Sequence, residues 1–289
     1  MGSVRWSSAS SNERHGRTVA SRINAISPSA KKAVYFFFWY FSTLTPFAYG
    51  ADLLPATAPR PVEEQPDHLT FSFSPYFWAA GISGDTAVFG LPEVHIEESF
   101  GDILKDIDFG MMAAGEARYG RFSVLTDISY ARITSDSATP RSVFADSVAL
   151  KQETFTAMLG IGYTVLGDDQ SRLDVVGGAK LWSTETTITF RGGPLGGVSA
   201  RDDATWVDGL AGFRGVYSLT PRFYLTGWGL VGAGGADLDW DVMGGVGYEI
   251  KDSVSAVLGY RAVGVDYSNG SLTNDIVEHG PILGLVFHF

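Results

Sequence analysis

Pro281-Ile282-Leu283-Gly284-Leu285-Val286-Phe287-His288-Phe289 closes the chain, and its spacing decides the fold. Counting back from Phe289, every second residue is apolar: Phe287, Leu285, Leu283 and Pro281. Side chains alternate across a strand, so a period of two writes one greasy face. The stretch is predicted as a strand that runs to an aromatic carboxyl terminus with no turn or polar tail.

The pattern repeats nine times upstream. Alternating segments fall at residues 69–78, 109–119, 122–130, 155–165, 173–181, 207–217, 223–233, 240–250 and 254–262. In residues 69–78, Leu69, Phe71, Phe73, Pro75 and Phe77 face one way, and Thr70, Ser72, Ser74, Tyr76 and Trp78 the other. The segment at 223–233 is the least clear, because both its faces are uncharged. A tilted strand needs about 9–11 residues to cross a membrane. Strands of soluble sandwiches run nearer 5–6. Short connections at 120–121, 167–171, 220–222 and 251–253 alternate with longer ones at 84–108, 135–152, 190–205, 234–239 and 268–275. Barrels place short turns on the periplasmic side and long loops outside. Tyr119, Tyr163, Tyr217 and Tyr248 each close an apolar face just before a short turn, the place of an interfacial aromatic girdle. The expected fold is an all-β transmembrane antiparallel up-and-down β-barrel of about ten strands over residues 69–289. Residues 94–100 are a candidate for an additional paired strand above the membrane.

The terminal strand resembles the last strand of Gram-negative outer-membrane β-barrels, in which assembly machinery reads a terminal Phe and alternating apolar residues. The resemblance makes Leu283, Leu285, Phe287 and Phe289 an assembly signal. Segments 74–84, 100–119, 206–219 and 280–289 also resemble a widespread group of such barrels, with small porin-like OmpA/OmpW-type proteins as broader relatives. These motifs are structural, and the resemblance carries no chemistry with it. It implies a place in the cell outer membrane.

Lys31 and Lys32 precede the apolar run Ala33-Val34-Tyr35-Phe36-Phe37-Phe38-Trp39-Tyr40-Phe41, and small residues follow at Ala48 and Gly50. This is the layout of a signal peptide, here residues 1–50 with an extended leading region. Residues 51–68 carry Pro55, Pro59, Pro61 and Pro66 and read as an extended periplasmic linker. Removing six Lys/Arg and one Glu with the signal from totals of 21 and 32 leaves 15 and 31, a net charge of −16. That balance excludes nucleic acid, which needs a basic face. It suits cation-bridged contact with lipopolysaccharide and outer-membrane lipid. Cysteine is absent, so there is no disulfide framework and no thiolate site.

The second face of the strands collects Glu116, Arg118, Asp127, Asp174, Lys180, Asp208, Arg214, Asp241, Glu249, Arg261 and Glu278. In a closed barrel these line the lumen. An unpaired buried ion costs several kcal/mol, so both signs are expected to pair into a network that largely fills it. A narrow pore lined by the same charges is the alternative. Pro75 and Pro281 fall on the first and last strands, where each removes a ladder donor and weakens the closing seam. Residues 99–108 are predicted to hold a helical turn capped by Ser99 or Asp102, serving as a lid over the mouth. His95 sits among Glu93, Glu97 and Glu98 but lacks helix-spaced ligand partners. His288 is expected to point inward at the periplasmic end. His279 beside Glu278 and Ser271 is the one arrangement that suggests a lipid A-modifying enzyme, and no nucleophile motif accompanies it. No metal, cofactor or catalytic residue is assigned.

Overall fold

The computed structural model describes residues 68–90, 92–138, 146–168, 170–270 and 272–289. The expected export signal and the linker up to residue 67 lie outside the described residues, as does Ser271. Twelve strands and one short helix follow in order: β1 (Thr70–Trp78), β2 (Gly81–Ala87), β3 (Val94–Glu98), α1 (Phe100–Asp106), β4 (Ile107–Tyr119), β5 (Phe122–Ala138), β6 (Ser147–Gly167), β7 (Ser171–Arg191), β8 (Ser199–Ser218), β9 (Phe223–Gly234), β10 (Leu238–Lys251), β11 (Val254–Ser268) and β12 (Thr273–His288).

Ten of these strands, β1 and β4 to β12, form a closed antiparallel barrel in up-and-down order, with β1 returning to pair with β12. Without closure, each edge would leave a row of unpaired backbone groups, which hydrocarbon cannot satisfy. The seam runs from Ser72↔His288 to Trp78↔Ile282. β2 continues up the same edge of β12, from Gly81↔His279 to Ala87↔Thr273. β3 folds back on β2, Ile82↔Glu98 to Thr86↔Val94, so the two make a hairpin at the long-loop end. The segment 84–108 expected as a loop therefore holds β3, α1 and most of β2.

The two faces separate as the alternation demands. Leu159 and Leu258 are each 63% exposed on the outer wall, whereas Val176 is 2% exposed and Leu230 6% exposed inside. A water-soluble protein does not leave such an apolar belt uncovered. Tyr119, Tyr163, Tyr217 and Tyr248 are all exposed at the short-turn end. Phe122 and Phe223 extend their ring, with centroids 5.0 Å from Tyr163 and 4.9 Å from Tyr248.

The expected loops at 135–152 and 190–205 are mostly strand. β5 runs on to Ala138, β6 begins at Ser147, β7 reaches Arg191 and β8 begins at Ser199. In this upper wall the outward residues are polar, including Ser183, Glu185, Asp203 and Thr205, so no greasy face marks the strands. The ladders continue regardless, as in Glu185↔Asp203. The connections expected at 234–239 and 268–275 likewise shrink, with β10 starting at Leu238 and β12 at Thr273.

Helix α1 forms where expected, with the Ser99 hydroxyl accepting from the Asp102 N–H at 3.3 Å. It is not the lid. Phe100 packs edge-on against the outward Phe77 at 5.7 Å, which sets the turn against the outer wall. The mouth is crossed instead by the β2–β3 connection. There the N–H of Phe89, at φ 59°, donates to Asp202 of β8 at 2.7 Å, and Val88 packs into the apolar cluster below.

Candidate functional site: the charged lumen

The inward side chains stack in three layers. The lowest lies near the short turns. Arg118 donates to Glu116 at 2.8 Å and to Thr164 at 2.8 Å, and also reaches Asp174. Thr164 donates to Asp174 at 2.7 Å, and Arg214 spans the barrel to the other oxygen of Glu116. Arg172 adds a third guanidinium, 3.4 Å from Asp174 and 3.9 Å from Glu116. Arg172 precedes Leu173, the first apolar residue of its strand, so alternation does not single it out, although it shares a face with Asp174.

The middle layer centres on Arg261 of β11. It donates to both oxygens of Asp241, at 3.1 and 2.6 Å, to the Tyr76 hydroxyl at 2.8 Å and to Asp127 at 3.4 Å. Tyr76 in turn donates to Asp127 at 3.1 Å, and the Trp228 N–H donates to Asp241 at 2.8 Å. The rings of Tyr76, Trp78 and Trp228 lie 5.2–5.8 Å from the guanidinium carbon. One cation thus ties together β1, β5, β10 and β11 across the lumen. Gly247 makes room below it, because the Tyr224 ring lies where a Cβ would stand.

In the upper layer Lys180 bonds Asp239 at 3.0 Å, and Trp182 donates to the same carboxylate at 2.6 Å. Asp208, fully buried, has no cation partner among the described residues. It accepts from the Trp206 N–H at 3.0 Å and from the backbone of Ala236 at 2.8 Å. Trp182, Trp206 and Tyr267 stack, with centroids 5.8 and 3.9 Å apart. Asp239 falls in the connection expected at 234–239, and nothing in the sequence spacing marks the tryptophans as partners for buried carboxylates.

Nine of the eleven expected lumen groups therefore have polar partners, and they fall into three separate sets. Glu249 and Glu278 depart from the expectation of pairing. Glu249 is exposed at the short-turn mouth, and neither it nor Glu278 has an ion-pair partner among the described residues. The His279–Glu278 pairing also fails. Successive residues of β12 face opposite ways, so His279 lies outside, 2.6 Å from the outward Tyr260 hydroxyl, while Glu278 turns inward. His95 pairs with Asp85 at 2.8 Å, away from the neighbouring glutamates. His288 meets Ser255 at 3.3 Å beside the short-turn mouth.

No protein-family model and no curated protein sequence matches the chain. Solved structures do. The outer membrane protease OmpT from Escherichia coli is similar over 77% of this chain and 97% of its own, at 11% identity and a TM-score of 0.51. Neisserial surface protein A (12% identity, 76% and 97% covered, TM-score 0.32) and Ail of Yersinia pestis (10%, 76% and 98%, 0.33) align more loosely. The likeness to OmpT is one of architecture: the chain has the closed antiparallel barrel of an outer-membrane protein.

Proposed function

We propose that the protein is a non-conducting barrel of the outer membrane with a structural or surface-interaction role. The observation that carries this reading is Arg261, whose guanidinium meets two carboxylates and a hydroxyl in mid-lumen under a stacked aromatic layer. Opening a water path there means separating buried ions, at a cost of several kcal/mol each. The raised wall of β5 to β8, polar outside, supplies the surface for contacts beyond the membrane. Outer-membrane lipid and lipopolysaccharide are the expected surroundings, with the assembly machinery reading Leu283 to Phe289 during biogenesis. No enzymatic role is assigned. Planar-bilayer recording tests the reading: wild-type protein adds no steady current. Reproducible conductance steps would instead favour the narrow pore for small polar solutes.

A further inference from the structure

A lumen blocked halfway up is also a blind pocket. Between the lower and middle layers most of the exposed inward surface is apolar: Leu125, Met158, Val176, Leu230 and Val286 line a cavity of about 160 Å³, with Ser72, Ser74, Thr126 and Asp127 also in its wall. Trp228 and Arg261 roof it. Below it lies a vestibule of about 600 Å³ at the short-turn end. The two share Ser72, Glu116, Arg214, Thr226, Val257 and Val286 in their walls, so the lower charge layer, through Glu116 and Arg214, stands at the threshold between them. That layer holds three guanidiniums against two carboxylates. Arg172 has the longest contacts of the set, with about a third of its side chain exposed. Arg118 lines the vestibule as well, and Glu249, Asp252, His288 and Phe289 face it nearer the turns, whereas Arg214 stands four residues up β8 from Ser218.

We infer that this pocket binds a single-chain anionic amphiphile entering from the short-turn side. Its head group would rest on Arg172 and Arg214, and its alkyl end would fill the apolar cavity. The chemistry follows from the sequence of surfaces. Cavities with apolar walls do not hold water well and accept hydrocarbon instead. The surplus cation at the threshold selects a negative head by charge-assisted hydrogen bonds. The inference goes beyond the sealed-barrel reading and does not need a ligand to pass through.

The test uses the full barrel in lipid nanodiscs, with ω-bromoundecanoate as probe and tryptophan fluorescence as readout. Bromine at the chain end would quench Trp228, which lines the cavity. The expected result is saturable quenching that Trp228→Phe removes and that Val176→Phe, by filling the cavity, weakens at least tenfold. Arg172→Gln should weaken carboxylate binding about tenfold and leave ω-bromoundecanol unaffected. Arg172 is partly exposed, so this variant keeps the test open should Val176→Phe not fold. Non-saturable quenching, equal in wild type and Val176→Phe, would reduce the effect to partition into lipid and overturn the pocket. Equal affinity for the alcohol and the carboxylate would overturn the anionic head. Conductance is independent of both outcomes: a barrel that conducts and still quenches saturably keeps this inference and loses the sealed lumen.

Discussion

Arg261 shows what one residue does when it is enclosed with its partners. Replacing it with Leu leaves Asp241 in a water-poor lumen without its cation, an expected loss of about 3–5 kcal/mol. Urea unfolding in lipid vesicles measures it, and Leu at both Arg261 and Asp241 should recover much of the loss. Gly247→Val tests the packing beneath: the new side chain meets the Tyr224 ring, at an expected cost of about 1–3 kcal/mol, and Tyr224→Ala in the same chain should relieve it. At the short turn after β6, outside the membrane, the Asp168 carboxylate accepts from the backbone of Gln170 and from the backbone and hydroxyl of Ser171 at 2.6–2.9 Å. These bonds, that from Gln170 foremost, hold its pKa below the ordinary carboxylate value. Its stabilising contribution is present at neutral pH and is lost as the pH falls through the lowered value, so the unfolding midpoint of Asp168→Asn should depend less on acid pH than that of wild type. The inward placement of these charges was legible in the sequence, because period two assigns each residue a face. Their partners were not. Tyr76, Trp228 and Asp239 meet Arg261, Asp241 and Lys180 through strand stagger and barrel closure, which no single segment encodes.

Elements were legible where one face had to meet hydrocarbon. Each lipid-height part of β4 to β12 stands where alternation put it, and β9, with uncharged faces, fits because its Trp228 serves the Asp241 of the next strand. Above that height β6, β7 and β8 have polar residues on the outside, so periodicity in hydrophobicity ends while the hydrogen-bond ladder goes on. The seam is the element most open to test. On β1, odd residues exchange bonds with odd residues of β12, as Phe71 does with Phe289 in both directions. Pro281 accepts from Ala79 at 2.9 Å and has no N–H to return, and Pro75, likewise without an N–H, falls between the Phe73↔Phe287 and Tyr76↔Gly284 pairs. Direct ladder pairing is interrupted between Phe73 and Tyr76. Pro281→Val should restore one bond and raise stability by about 0.5–1.5 kcal/mol in urea unfolding. No gain in stability and no change in assembly rate would remove the case for a weak seam.

The whole molecule rests on a single physical arrangement: hydrocarbon outside, ions and aromatic rings inside. The chain has no cysteine, so single spin labels can be placed without altering any native thiol. Leu159, Leu258 and Leu283 are among the most exposed apolar side chains of the wall, and Val176 is among the most buried of the interior. The most direct measurement is the accessibility of a nitroxide at each of these four positions, in lipid vesicles, to oxygen and to a water-soluble nickel chelate. Strong oxygen contact and little nickel contact are expected at the three leucine positions, with both reagents largely shut out at Val176. Leucine positions shielded from oxygen and nickel alike would contradict this arrangement, since that is the signature of side chains packed between two sheets.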